Sequence, residues 1–421
     1  MPPSAEPRRR EGVALTGAGV VSPLGCSLAA FDEALFAGRS AVRAQALDLP
    51  GIALPPVPVA SAAFDAGAVT APSKVPLDRA TAMALAAARD AAAAAGLAAG
   101  AFDPERLGIF WGSGMAGAAT FEATCRTVYA ERRRMRPTSV VTTMPNAPVA
   151  EIALEFGARG AALAYACACA SSAVAIGEAM RAIRAGWIDV AIAGGSESML
   201  TPGVLASWQA MRVLVPLGAG AGDAAAVAAC VRPFAAGRNG FALGEAAAAF
   251  VLESRAHAAA RGASVDALLV GYATNCDGVH LTQPDAAGQA RAMRAALADA
   301  GLDAGGIGYV NAHGTATTAG DAAEAESITR VFGPGGVPVS STKAIHGHLL
   351  GAGGAVELLA ALRALDSGQL PPTAHVDAPD PALAIDLVCG KPRRVGALQA
   401  VMSSSFAFGG TNAVLIATRP G

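Results

Sequence analysis

The sequence predicts an α/β protein built from two copies of one unit, each with a largely buried sheet. Three internal matches predict it. The Ala-rich helical stretch 82–97, the strand-like L-G-I-F-W (107–111) and the loop G-S-G are repeated as 292–302, I-G-Y-V-N (307–311) and A-H-G-T. The stretch 162–180 matches 339–357, and both read as strand, small-residue turn, helix. Finally, G-F-A-L-G-E-A-A-A-A-F-V-L-E (240–253) matches S-F-A-F-G-G-T-N-A-V-L-I-A-T (405–418) without gaps. Three matches in one order indicate a duplication with a boundary near residue 260. The chain divides into a flexible tail (1–12), a first half (13–260) and a second half (261–421).

The elements follow in order. The tail M-P-P-S-A-E-P-R-R-R-E is polar, and the apolar stretch behind it is interrupted by Gly17, Gly19, Ser22, Pro23 and Gly25. It does not read as a signal peptide. Helix 82–97 closes on Gly96 before strand 107–111. An apolar, strand-like stretch, Ala161–Ala168, leads into Cys169, and a helix-like segment, Ser171–Gly186, leads out. The second half repeats this alternation. The 24 residues from Val395 to Thr418 carry no charge, but S-S-S-F-A-F-G-G-T-N in their middle reads as a polar loop between two strands, not a membrane span.

Composition excludes several classes. Hydrophobic residues make up 53% and charged residues 15%, which fits a folded globule and not a disordered chain. A net charge of −2 gives no basis for nucleic-acid binding. Seven scattered Cys are not a disulfide framework and suit a reducing cytoplasm. Cys167-x-Cys169 has no second Cys/His pair at ligand spacing in its segment, so no metal is expected. Only three Lys stand among 31 basic residues, which makes Lys343 inside a motif noticeable.

The reactive residues fall on repeat-related loops. Cys169 stands where a strand meets a helix start, whose dipole favours the thiolate. With Cys167 two residues earlier, the run Y-A-C-A-C-A-S-S is open to three readings: a nucleophile, a two-thiol site, or core packing. The second half offers His313 in N-A-H-G-T-A-T, and Lys343, His346 and His348 in S-S-T-K-A-I-H-G-H. A Cys with two His points to acyl transfer through a thioester. The His pair then supplies two N–H donors for an enolate, or one base and one donor.

These residues carry a resemblance. A-C-A-S-S, G-G-S-E-S-M, Y-V-N-A-H-G-T-x-T-x-x-G-D, S-T-K-x-x-x-G-H-L-L-G-A-x-G-A-V-E and F-G-G-T-N occur in one order over essentially the whole chain. The chain resembles the β-ketoacyl-acyl-carrier-protein synthases, synthase II type. That resemblance implies a thiolase-like fold with duplicated halves layered αβαβα. It implies that Cys169 is the acylated nucleophile, His313 and His348 the condensation pair, and Lys343 a supporting cation. Phe408 would gate the acyl pocket and, with Cys169, supply the oxyanion-hole N–H groups. Thr315 and Thr317 would meet the phosphopantetheine arm, and Asp321, Glu324 and Glu357 would organise the site. In that family the nucleophile stands nine residues after G-A-R-G, so the resemblance implies Cys169 and not Cys167.

The implied reaction is decarboxylative condensation of an acyl-enzyme with malonyl-acyl-carrier protein, extending a fatty acid. It needs no metal or redox cofactor, since the substrates ride on the carrier's phosphopantetheine. The implied partners are acyl carrier protein and a second copy of the chain, with Arg133, Arg134 and Arg212 as a docking patch. An alternative is the same chemistry in a polyketide or aryl-polyene pathway. A non-catalytic partner subunit is less favoured, because such subunits typically lack the nucleophile. The chain departs from the family pattern at Thr318, at Ala407 in place of Gly, at 244–248, at Tyr165 and at His346, which reads as an ordinary pocket or surface residue.

Overall fold

The computed structural model describes residues 11–98 and 102–420, so most of the expected tail lies outside the described residues. The first half contributes β1 (Val13–Val21), β2 (Leu107–Gly112), β3 (Ala162–Tyr165), β4 (Val190–Glu197) and β5 (Ala246–Glu253). The second contributes β6 (Ala267–Cys276), β7 (Tyr309–Asn311), β8 (Pro338–Ser340), β9 (Ala400–Phe406) and β10 (Thr411–Thr418). From one edge inward the order is β3-β2-β4-β5-β1; from the other, inside a short strand Asp386–Leu387, it is β8-β7-β9-β10-β6. Counted from its own first strand, each half therefore reads 3-2-4-5-1. The outer three strands of each half are parallel and the inner two antiparallel. The halves join where β1 pairs with β6.

Helices complete five layers. Helices α1 (Arg79–Ala94) and α2 (Ala147–Phe156) cover the outer face of the first half. Between the halves lies α3 (Ser171–Arg184), and α4 (Pro202–Ala210) sits in a long connection. Helices α5 (Ala286–Ala300) and α6 (Thr318–Phe332) cover the second half, and α7 (Gly353–Ser367) packs beside α3 in the middle layer. The sequence explains these positions. Residues Gly353–Leu362 of α7 are all buried, as a helix between two sheets requires. Helix α1 is capped by Asp78, and its Ala-rich face comes so close to β1 that a Cβ at Gly17 or Gly19 would strike its backbone.

Two expectations are corrected. The strand expected over Ala161–Ala168 runs only from Ala162 to Tyr165, because the chain turns into a single helical turn at Ala168–Ala170. As an edge strand it leaves Ala162, Leu163 and Ala164 exposed although they are apolar. The serines of S-S-S-F-A-F-G-G-T-N are not in a loop: Ser403–Ser405 are buried in β9, and the turn begins at Ala407. Among the described residues no helix is long and apolar enough to cross a membrane.

Candidate active site

The turn that carries Cys169 is built locally. Ser171 Oγ accepts from Cys167 N (2.9 Å) and donates to Ala168 O (2.7 Å), while Ala168 takes a left-handed φ of 47°. Such a conformation is costly for a residue with a Cβ, and here it bends the strand sharply into α3. Cys169 is buried at that bend. Its sulfur lies 3.1 Å from His348 Nε2, and the backbone N–H groups of Phe408 and of Cys169 favour its charged form. The sequence predicted that the helix start favours a thiolate. In the folded chain burial outweighs that field and pushes the thiol up to about 12, against the pull of Lys343 and the two N–H groups.

The histidines come from loops of the second half. Behind β7, the N–H groups of His313 and Gly314 donate to the two oxygens of Glu324 on α6, at 2.7 and 2.6 Å. His348 is fixed by its own N–H to Ala242 O (2.7 Å) and by Gly244 N donating to its carbonyl (2.9 Å). The two rings stand almost perpendicular, with centroids 5.4 Å apart. Burial first and Lys343 second hold both well below the usual histidine range, so both are neutral at pH 7. Leu350, itself at φ 45°, donates its N–H to His348 Nδ1 at 3.3 Å. The Lys343 ammonium lies 3.3 Å from His313 Nδ1, donates to His313 O at 2.5 Å and pairs with Glu357. Each ring thus has a donor at Nδ1, which leaves the proton on Nε2.

The remaining predicted residues are placed as follows. Thr315 and Thr317 line the same cavity, with their hydroxyls 2.9 Å apart, and Thr317 caps α6. Asp321 accepts from Phe234 N (2.7 Å) and Ala316 N (3.0 Å). Burial pushes Asp321 and Glu357 up to about 7 and Glu324 to about 8. Arg133 and Arg134 line a separate surface pocket with Thr124 and Thr138; Arg212 is exposed between Met211 and Val213, which line the catalytic cavity. His346 is not a surface residue. It is buried, with Nε2 at 2.8 Å from Thr342 Oγ1 and Nδ1 at 2.7 Å from Gly347 O. Cys167 is half-buried and packs on the main core.

The cavity has a volume of about 270 Å³, and its lining mixes aromatic side chains, among them Trp208, Phe241 and Phe408, with polar ones, among them Asp277, Gln289 and Asn412. Phe408 stacks on Trp208 (6.2 Å), which meets Phe241 edge-on (5.8 Å), which meets His348 (5.1 Å). Sequence reasoning missed Trp208, Gln289 and Glu197. Glu197 stood inside the quoted G-G-S-E-S-M, and it accepts from Gly114 N (2.6 Å), Met115 N (3.1 Å) and Gly351 N (3.1 Å). The reactive atoms of Cys169, His313 and His348 lie within 4.8 Å of one another, a spacing that also occurs in metal sites. The Lys343 cation beside His313 opposes a second positive charge there.

A thiolase-like five-layer fold with Cys, His and His at the meeting of its halves defines a thioester condensing enzyme. The chain belongs to the β-ketoacyl synthase family: the N-terminal domain of that family matches residues 10–258 and the C-terminal domain residues 266–377. It is a synthase of the II type. It is 40% identical over 343 residues to nodulation protein E of Rhizobium meliloti, covering 81% of this chain and 82% of that protein. It is 37% identical over 345 residues to 3-oxoacyl-[acyl-carrier-protein] synthase 2 of Staphylococcus aureus, covering 81% and 84%. Among solved structures it resembles one chain of a complex described as a type II polyketide-synthase acyl-carrier protein with its ketosynthase bound to the hexaketide. That match has a TM-score of 0.88 and 26% identity, and covers 98% of this chain and 100% of the other.

Proposed function

We propose that Cys169 carries the acyl chain and that His313 and His348 drive decarboxylation of a malonyl thioester delivered by acyl carrier protein. The observation that carries this reading is the 3.1 Å approach of Cys169 Sγ to His348 Nε2, with the second ring beside it. In the first half-reaction the sulfur attacks the incoming acyl thioester, and the carrier's thiol leaves with the proton. His348 Nε2–H acts there as a donor to the developing thiolate and not as its base. In the second, the malonyl thioester oxygen accepts from both Nε2–H groups. The C–C bond to the carboxylate breaks, CO2 leaves, and its electron pair forms the enolate. The enolate carbon attacks the acyl carbonyl, whose oxygen faces the N–H groups of Cys169 and Phe408. Collapse releases Cys169 and a 3-oxoacyl-carrier protein longer by two carbons.

Asp321, Glu324 and Glu357 act by holding loop backbone and Lys343, and the substrates bring the only prosthetic arm required. Thr315 and Thr317 line the path of that arm. Arg133, Arg134 and Arg212 are exposed cations suited to an acidic carrier. A second copy of the chain covers β3, whose uncovered apolar edge supports a homodimer. The units are 13–260 and 261–421, and the site of action is the cytoplasm, where thiols stay reduced. Fatty-acid elongation is the first reading of the pathway. The likeness to a polyketide ketosynthase favours a second, in which the acyl chain is a polyketide or polyene. The test is intact mass after incubation with acyl-carrier proteins of graded length and malonyl-carrier protein. Cys169 gains the acyl mass and Cys169→Ala does not; equal acylation of the variant would overturn the assignment.

A further inference from the structure

Gln289 is out of place on its helix. The buried residues of α5 are Ala286, Gly288, Gln289, Ala290, Ala292, Met293, Ala296 and Leu297, and Gln289 is the one polar side chain among them. It is 1% exposed, lines the catalytic cavity, and its Oε1 has no hydrogen-bond partner among the described residues. An apolar residue would pack there without leaving a buried acceptor unmet. The unmet atom narrows the ligand. Only a donor satisfies Oε1, and neither the malonyl carboxylate nor a thioester carbonyl is one. The substrate groups that donate are the amide N–H groups and the hydroxyl of the phosphopantetheine arm. Thr315 and Thr317, whose hydroxyls bond to each other, line the same cavity.

We propose that Gln289 is a substrate-positioning residue that accepts a hydrogen bond from an amide N–H of the carrier's phosphopantetheine arm. This rests on the condensing activity proposed above. The experiment compares two malonyl donors, malonyl-pantetheine and malonyl-ethanethiol, which lacks every amide, on enzyme already acylated at Cys169. The ratio of their kcat/KM values is measured for the native chain and for Gln289→Leu. One lost hydrogen bond lowers that ratio about 2- to 10-fold, through KM of malonyl-pantetheine. Replacing the arm's amides by esters lowers the native ratio by a similar factor and leaves the variant's ratio where it is. Because the substitution removes an unmet acceptor from an apolar stripe, the variant's melting temperature holds or rises. An unchanged ratio, or a proportionate loss on both donors, overturns the proposal. Gln289→Met repeats the measurement should Gln289→Leu fold poorly. Absence of Cys169 acylation in the native chain sinks the condensing reading itself and is seen before any donor is compared.

Discussion

Replacing Lys343 by Met separates what the cation does for the fold from what it does for the reaction. The ammonium is fully buried, pairs with Glu357 and lies 3.3 Å from His313 Nδ1. Met keeps the volume and removes the charge. Glu357 then loses its buried partner, which costs about 3–5 kcal/mol in such pairs. The pH sign follows from the carboxyl. Even beside Lys343 it is pushed up to about 7 by burial, above its ordinary 4.5, and without Lys343 it rises further. An acid with a raised folded pKa stabilises the fold as pH falls, so the variant is more stable at pH 6 than at pH 8. Adding Glu357→Gln restores most of the lost stability and removes that slope. The reaction behaves differently. His313 loses the donor that keeps its proton on Nε2, and decarboxylation falls about 10²–10³-fold, the usual loss of one oxyanion donor. Its ring also titrates nearer the ordinary range, so the acid limb of the rate profile moves to higher pH. The assays are urea unfolding at two pH values and CO2 release from malonyl-carrier protein. Native-like CO2 release by the double variant would refute the reasoning, since Lys343 would then act through the fold alone.

Three further outcomes are expected. Trp208→Ala removes the ring on which Phe408 stacks, and acylation of Cys169 should extend to bulkier acyl chains while losing about 0.5–1.5 kcal/mol of gate stability; a native chain-length profile by intact mass contradicts the stacking role. Leu163→Lys places a charge on the uncovered edge of β3 and should shift the molecular mass by light scattering from two copies to one, whereas a monomeric native chain removes the basis for a homodimer. The stability of the native chain should fall most steeply between pH 6.5 and 8, measured by urea unfolding across pH 5–9: the carboxyls raised to about 7 and 8 still hold protons there that the unfolded chain has lost, while below pH 6.5 the buried histidines, neutral in the fold, oppose that slope; a flat profile between pH 6.5 and 8 contradicts the raised carboxyls.

Much of the fold was legible because the duplication repeats a period, a cap and a turn in one order, and only one layered arrangement buries both apolar sheets. The proposed catalytic trio was legible because Cys169, His313 and His348 sit in motifs at element ends. What escaped depends on distance in three dimensions. The exposure of Leu163 is set by its place at the end of the strand order, which its apolar neighbours do not announce. Trp208 becomes part of the site only because α4 brings it over Phe408. The state of Cys169 depends on a competition between burial and local fields, which a helix start alone does not decide. Gln289 was within reach: it is the polar break in the apolar spacing of α5.

The placement of the trio depends on polar links between the halves. Cys169 belongs to the first half and both histidines to the second, so no single loop sets the 3.1 Å contact. Glu197, at the end of β4, accepts from Gly114 and Met115 of its own half and from Gly351 of the other. Ser172 Oγ, three residues after Cys169, accepts from Ala355 N on α7 at 2.9 Å. Leu350, between His348 and Gly351, is held at a left-handed φ that aims its N–H at His348 Nδ1. Apolar packing of two sheets on a shared helix layer tolerates small slides, because dispersion is not directional. Hydrogen bonds with both partners buried do not tolerate them, since each slide leaves a donor or acceptor unmet. The buried carboxyls and the strained Leu350 cost stability, and the return is a fixed register between the half that carries Cys169 and the half that carries both histidines.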